Sequence, residues 1–315
     1  MFDLPKSCRV LIQGVDRPAA LVAVEVMLAY GTNIVAEVAA GRGGQSQGQI
    51  PVFDLVEQAQ AEIGQMDVAI IFNSPWQVLD AVLESIAAGI ERIIICSGGV
   101  PPLDSLEILR HSADVMVLGS GSAGLIAPDR LLLGSFNPAC FQLGTVGIIS
   151  RSKSLACETA DLLRRHQLGQ SIVIHVGSDS ILGSTGSEWL KILSQDSQTS
   201  AILLLGNIDR DEELLAIARS IKQQVIAYRP QLTSLIAPLS DAAMLLGAGR
   251  RSQHSQDLVA NHQQDKRLGE KPEEGVIVVD SIFALPSLLK EGAITSIDSN
   301  QLITNKIVLT RSHLT

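Results

Sequence analysis

The chain is poor in aromatic residues, poor in charge, and has no excess of basic groups. Phe, Trp and Tyr together make up 3% of the 315 residues, which leaves little for the stacking platforms that hold single-stranded nucleic acid. Charged residues are only 18%, and 24 Lys and Arg stand against 33 Asp and Glu, for a net charge of −9. A dedicated nucleic-acid binder needs a basic face, so that class is excluded as an expectation. The apolar runs are short. Leu21 to Leu28 is interrupted by Glu25, and Val115 to Leu118 is shorter still; neither approaches the ~20 residues that cross a bilayer, so no membrane partner is expected. The opening Met1-Phe2-Asp3-Leu4-Pro5-Lys6 has no basic stretch followed by an apolar one, so no signal peptide is expected. The four cysteines, Cys8, Cys96, Cys140 and Cys157, form no CxxC or CxxH pair. Zinc and thioredoxin-like chemistry therefore have no support, no metal is expected, and four reduced thiols in a cytoplasmic protein are the expectation.

What is present is apolar and periodic. Hydrophobic residues make up 46%, enough to bury a large core, and the length suggests two domains at about 150 residues each. Val- and Ile-rich runs mark strands at Arg9–Gln13, Asn33–Ala39, Asp67–Phe72, Arg92–Cys96 and Val115–Leu118. A second series lies at Val146–Ile149, Ser171–Val176, Ala201–Leu205, Gln224–Tyr228 and Val276–Val279. Continuous apolar strands separated by helical segments imply parallel sheets covered on both faces. Leu79, Val82, Leu83 and Ile86 recur at helical spacing and Gly89 follows as a cap. Asp209 opens another helix, with Asp211, Glu212 and Glu213 in its first turn, Lys222 near its end, and Leu214, Ile217, Ala218 and Ile221 as its stripe. Pro18–Tyr30 has proline at its start and one charge, Glu25, and is expected to be buried nearly all round. Glycines and prolines break the two series apart over Leu133–Thr145, and a polar stretch at Arg250–Glu274 reads as an excursion before the last strand. The expected division is 1–140, 141–292 (with the excursion at 250–274) and a tail at 293–315.

In open α/β sheets ligands sit outside the carboxyl ends of the strands. Four loops stand there. Gly14-Val15-Asp16-Arg17-Pro18 holds only one glycine of a GxGxxG, with Asp16 repelling and Arg17 attracting phosphate; a plain turn and a phosphate site both fit. Gly41-Arg42-Gly43-Gly44 follows a strand and carries a cation, and reads either as an anion contact or as a surface loop. Gly119–Gly124 has three glycines in six residues but no Walker lysine; its backbone is shaped around a ligand or around the other domain. Ser150-Arg151-Ser152-Lys153-Ser154 ends a strand and opens a helix, where hydroxyls, cations and free amides make either an anion site or a solvated helix start.

Taken in order, Ile12-Gln13-Gly14, Ala29-Tyr30-Gly31-Thr32, Gly41-Arg42-Gly43-Gly44, Ile50-Pro51-Val52-Phe53, Gly89-Ile90, Gly99-Val100-Pro101 and Gly147-Ile148-Ile149-Ser150-Arg151-Ser152 resemble the α subunit of succinyl-CoA synthetase and related nucleoside-diphosphate-forming acyl-CoA ligases. The similarity runs from about Arg9 to Glu291. It implies an α/β protein with an N-terminal Rossmann-like CoA-binding domain, followed by a flavodoxin-like doubly wound parallel-sheet domain. It implies CoA or acyl-CoA as the bound cofactor, with contacts at Gly14, Arg17, Arg42 and Pro75. It implies a phosphate or anion site at Ser150, Arg151 and Ser152. It also implies a phosphoryl group carried by a histidine, and an ATP-grasp β-like partner or self-association.

The family's catalytic residues do not carry over. Its Gly-His-Ala-Gly-Ala segment matches Leu239-Ser240-Asp241-Ala242-Ala243, so Ser240 stands in the place of the histidine. A serine cannot form a phosphoramidate; the adjacent Asp241 is a carboxylate able to form an aspartyl phosphate. The glutamate that orients the histidine is matched by Asn207, and none of His111, His166, His175, His254, His262 and His313 aligns with the catalytic one. The family's Thr-Gly-Ser-Gln phosphate loop is matched by Asp16, Arg17, Pro18 and Ala19, and Lys153 replaces a glycine. The expected function is a non-catalytic or diverged α-subunit-like protein, binding CoA, acyl-CoA or another phosphorylated metabolite as regulator or assembly subunit. An active acyl-CoA ligase α subunit and a carbamoyltransferase on the same scaffold are the alternatives.

Overall fold

Residues along the first strand, β1 (Val10–Gln13), alternate between two cores, as a period of two requires. Val10 and Ile12 join the larger core, while Leu11 joins the smaller. In the computed structural model, which describes residues 5, 7–206, 212–228, 276–279 and 281–292, this alternation sorts the first sheet's two faces. From β1 the chain runs through α1 (Pro18–Tyr30), β2 (Ile34–Val38), β3 (Ser46–Gln47), β4 (Ile50–Phe53), α2 (Val56–Ile63) and β5 (Val68–Ile71). It continues through α3 (Val78–Ala87), β6 (Arg92–Ile95), α4 (Pro102–His111) and β7 (Met116–Leu118). The sheet order is β3-β4-β2-β1-β5-β6-β7, parallel except for β3 on β4. Leu11, Ala69 and Ile71 pack with Val56 and Ala59 of α2, Val78 and Val82 of α3 and Ile108 of α4. The opposite face packs with α1 and with the second sheet.

The second sheet comprises β8 (Gly124–Ala127), β9 (Leu131–Gly134), β10 (Leu143–Ser150), β11 (Gln170–His175), β12 (Ala201–Leu205), β13 (Gln224–Tyr228) and β14 (Ile277–Val279). Their order is β14-β13-β12-β10-β11-β8-β9. The helices here are α5 (Lys153–Arg165), α6 (Gly186–Ser194), α7 (Glu212–Ser220) and α8 (Leu285–Gly292). Strands β10 to β14 are parallel to their neighbours, and the β8–β9 hairpin is antiparallel to β11 at one edge. The molecule is thus an α/β protein of two mostly parallel sheets, a Rossmann-like body followed by a flavodoxin-like one.

All ten strands expected from the sequence are present, with ends moved by a few residues at most. Four were not expected. β3 and β4 lie at one end of the sheet, where Pro51, second residue of the four-residue β4, obscures the strand pattern. The β8–β9 hairpin hides in a glycine-rich stretch, yet it carries the sheet pairing of the second body ahead of residue 141. Gly124 and Gly134 face each other there at φ +84° and +119°. A Cβ on Gly134 would lie 2.4 Å from the Ala123 carbonyl oxygen. Helix α7 begins among the acidic residues as expected, while Asp209 lies outside the described residues.

Helix α1 corrects the sequence reading. Ala20, Ala23, Val24 and Met27 are buried, but Leu21, Val22 and Leu28 are exposed, so the helix is not buried all round. Its low polarity reflects one face turned to the hairpin, where the Gly134 amide donates to Met27 Sδ (3.2 Å) and Thr32 Oγ1 donates to the Leu132 carbonyl (2.7 Å). Among the described residues nothing covers its outer face.

The two bodies share one core. Phe136, fully buried just past β9, meets Phe141 edge-on with ring centroids 5.3 Å apart and planes at 79°. Phe136→Ala is expected to remove about 3–5 kcal/mol of stability, read as a lowered urea midpoint; a loss under ~1 kcal/mol would show that the site collapses around the cavity.

Candidate functional site

In the first body, β1 leads by way of α1 to β2 on one side, and β5 leads by way of α3 to β6 on the other. The connections part between β1 and β5, the switch point at which open α/β sheets form their ligand crevice, at the carboxyl ends of the strands. Gly14 forms its floor. Its φ is +79°, and a Cβ would lie 2.5 Å from the Asn73 amide nitrogen, so only glycine fits against the loop after β5. Arg17 is exposed at the start of α1 and gives that helix no side-chain cap. Pro75 opens a 3-10 turn (Pro75–Gln77), which Ser74 closes by donating its hydroxyl to Gln77 Oε1 (2.6 Å).

The Gly41–Gly44 loop is built differently from a phosphate cradle. The amides of Gly41 and Gly43 both donate to Asp54 Oδ1 (2.7 and 2.9 Å), and the amide of Gly44 donates to the Val52 carbonyl (3.0 Å). The Arg42 amide reaches the Ala39 carbonyl (3.0 Å), and its Nε donates to Gln45 Oε1 (3.2 Å). The loop therefore offers an anion the Arg42 guanidinium, and its own amides are occupied.

The crevice's unmet groups are acceptors. Glu37 on β2 is fully buried and neither carboxylate oxygen has a hydrogen-bond partner; Asn73 Oδ1 beyond β5 is likewise buried and unpartnered. Burial pushes the Glu37 carboxyl up to about 7, opposed by the positive charge of Arg42. Neither residue was singled out from the sequence. Glu37 left only a weak signal there, one acid inside the otherwise apolar run Ile34–Ala39.

The second candidate cluster sits at the end of β10. Ser150 is fully buried; its Oγ donates to the Ser152 carbonyl (2.8 Å) and accepts from the Ser152 amide (3.0 Å). Ser152 caps α5, accepting from the Leu155 amide (3.3 Å). Arg151 Nη2 donates to the Asp179 carbonyl (2.8 Å), and Lys153 Nζ donates to Ser135 Oγ (3.3 Å). The Asp179 carboxylate in turn accepts from the amides of Gly99 (2.9 and 3.1 Å) and Val100 (3.2 Å) and from the Ser120 hydroxyl (2.8 Å). The glycine-rich Gly119–Gly124 loop is thereby shaped around the other body. Beside it, buried His175 accepts from the Ala123 amide at Nδ1 (2.8 Å), which places its proton on Nε2. Burial holds its pKa below the ordinary value, with the Arg151 carbonyl opposing.

A continuous path joins the clusters. Gly14 abuts Asn73, whose carbonyl accepts from Ser97 Oγ (2.5 Å), and the following Gly99 binds Asp179, which holds Arg151. Ser240 and Asn207 lie outside the described residues. Among the described residues no helix is long and apolar enough to cross a membrane.

Two α/β bodies meeting at the carboxyl ends of their strands define the class of molecule, and the family follows from comparison. Residues 5–99 match the CoA binding domain model, and residues 143–255 match the succinyl-CoA ligase like flavodoxin domain. A succinate–CoA ligase [ADP-forming] subunit alpha from Archaeoglobus fulgidus is 35% identical over 230 residues, covering 72% of this chain and 80% of that one. A malate–CoA ligase subunit alpha from Methylorubrum extorquens is 31% identical over 234 residues, 71% and 79% of the two chains. The ATP citrate lyase of Methanothrix soehngenii, solved with citrate and coenzyme A, has the same fold over 99% of this chain (TM-score 0.69, 16% identity). This chain spans 52% of its length. The chain belongs to the succinate–CoA ligase α-subunit family.

Two outcomes follow from the geometry. Asp179→Ala strips one acceptor from two amides and a hydroxyl at once and is expected to cost about 2–3 kcal/mol in urea unfolding; an unchanged midpoint would mean these groups are equally well satisfied by water. Glu37 holds its proton in the folded state between about 4.5 and about 7, where the unfolded chain has released it. Its contribution is thus fully present below pH 4.5 and is lost as pH rises through 7. Glu37→Gln should therefore be no more stable than the parent at pH 4.5 and more stable by about 1–3 kcal/mol at pH 8. Parallel stability profiles for the two proteins would refute this.

Proposed function

We propose that the chain is an α-subunit-like protein that binds CoA, acyl-CoA or another phosphorylated metabolite in its first body and has diverged from phosphohistidine chemistry. The match of residues 5–99 to a CoA binding domain carries the first half of this reading. Its open crevice at the β1–β5 switch point supports it, with Gly14 and Pro75 shaping the walls and Arg17 and Arg42 supplying cations. The fit to CoA is partial, because the glycine-loop amides are turned inward to Asp54 and the unmet groups are acceptors. Ser240 and Asn207, at the positions of the family's histidine and glutamate, carry the second half. A hydroxyl there offers no ring nitrogen to receive a phosphoryl group, and an amide cannot accept a proton as a carboxylate does. The role is then that of a regulator or assembly subunit, with an ATP-grasp β-like subunit or a second copy as partner, in a reducing, cytoplasmic setting that suits four free thiols.

Two observations favour a second reading, an active α subunit. Identity of 31–35% to ligase α subunits extends over more than two thirds of the chain, and Ser150, Arg151 and Ser152 stand together at the start of α5.

Thermal unfolding of the full chain with CoA, succinyl-CoA, dephospho-CoA and ADP tests ligand binding. A ligand at 100 times its Kd is expected to stabilise by about 2.7 kcal/mol, and no shift with any of the four would overturn the binding reading. Incubation with an ATP-grasp partner, ATP, CoA and succinate is expected to leave no acid-labile phosphoryl group on this chain. Its appearance would select the active-subunit reading.

A further inference from the structure

Three orphaned oxygens of the first body sit on two residues near the carboxyl ends of β2 and β5. Glu37 precedes the last residue of β2, Asn73 follows the end of β5, and β1 with its Gly14 turn runs between them. A buried acceptor without a partner is destabilising, and in a native protein such a group calls for an explanation, of which a donor on a bound ligand is one. Unpartnered carboxylate and amide oxygens at these strand ends suit a ligand that carries hydroxyl or amino donors. The surroundings agree. The amides of Gly41, Gly43 and Gly44 are bound to Asp54 and Val52, and among the described residues the charged group acting on Glu37 is Arg42. In the Gly41–Gly44 loop a Cβ on Gly41 or Gly44 would meet nothing within 4 Å, while one on Gly43 would strike Asp54.

In dinucleotide folds an acidic residue about 20 residues beyond the first turn glycine accepts from a ribose hydroxyl, at the end of the second strand. Glu37 holds that place relative to Gly14. We infer that Glu37 reads the free hydroxyls of a ribose, so that the first body selects an adenosine-diphosphate ligand with no phosphate on that ribose, of the dephospho-CoA or ADP class. This rests on the reading that the first body holds a nucleotide-bearing metabolite, and it narrows that class. Vicinal hydroxyls donate two hydrogen bonds to the two oxygens of a carboxylate, a charge-assisted arrangement. A phosphomonoester on the same ring brings acceptors and about −1.5 to −2 charge against that carboxylate. A pocket built to receive a hydroxyl discriminates strongly against a ligand that lacks it.

Calorimetric titration of the full chain at pH 8 with dephospho-CoA, ADP and CoA provides the test, on the parent, Glu37→Gln and Glu37→Ala, with each variant's fold verified by circular dichroism. The parent should bind dephospho-CoA at least about tenfold tighter than CoA. Both substitutions should bring the two ligands to within about twofold of each other, chiefly by weakening dephospho-CoA. CoA binding as tightly as dephospho-CoA to the parent would overturn this inference and leave the CoA reading standing, as would a preference that neither substitution moves. Failure of the parent to bind any of the three would overturn both.

Discussion

The arrangement of this molecule depends on one carboxylate. Asp179 leaves the end of β11 and closes on the amides of Gly99 and Val100, in the loop after β6 of the other body, while Ser120 donates to it from the connecting segment. An ionised acceptor satisfying three donors is roughly twice as strong per bond as a neutral one. It acts at the strand ends, while Thr32 and Met27 tie α1 and its following turn to the β8–β9 hairpin elsewhere. Hydrophobic burial in the shared core is non-directional; the Asp179 contacts fix which loop faces which. Because its own carbonyl takes Arg151, the same residue also sets the start of α5. The carboxyl ends of the two sheets are held in register by this link and by the Gly119–Gly124 loop threaded beside it.

Within the first body that constraint passes along the strand ends. Ser97 ties the Asn73 carbonyl, and Asn73 packs against Gly14 too closely for any other residue. The result is a crevice with rigid walls and an unusual polarity. A dinucleotide loop turns amides outward to an anion; here Asp54 turns the amides of Gly41 and Gly43 inward, and the unmet groups are the oxygens of Glu37 and Asn73. A proton held by Glu37 to about pH 7 lessens the penalty of that burial.

Much of the fold was legible because it is written in patterns of period 2 and 3.6. Runs such as Ala201–Leu205 and Gln224–Tyr228 match the observed strands to the residue. The misses share a cause, which is that the deciding contact is remote in sequence. The β8–β9 hairpin looks like a glycine loop until β11 lies beside it, and α1 looks fully buried because its composition does not say which face meets the hairpin. The site was legible only in outline. Gly14, Arg42 and Ser150 to Ser152 announce themselves by residue type at strand ends. Asp179, Glu37 and Asn73 are ordinary polar residues whose importance comes from what they touch, or fail to touch, across the sheet. What the Gly41–Gly44 amides do was hidden for the same reason: their partner, Asp54, comes only after β3 and β4.

Persistence of Ser150, Arg151 and Ser152 is a weak guide to catalysis once their bonds are seen. Ser150 stitches its own turn, Ser152 caps a helix, and Arg151 anchors the segment that joins the bodies. Each would be kept by folding alone: loss of a cap weakens a helix by about 1 kcal/mol, and loss of a buried hydrogen-bonded hydroxyl by a similar amount. A histidine that carries a phosphoryl group has no such structural anchor in the sequence pattern, since its value lies in the reaction. A family member that stopped transferring phosphate would therefore lose the histidine and its glutamate while retaining the helix start that once faced them. Under the proposed reading, Ser240 and Asn207 together with an intact Ser150-Arg151-Ser152 in the sequence reflect that division: the retained residues answer to the scaffold and the replaced ones to the chemistry.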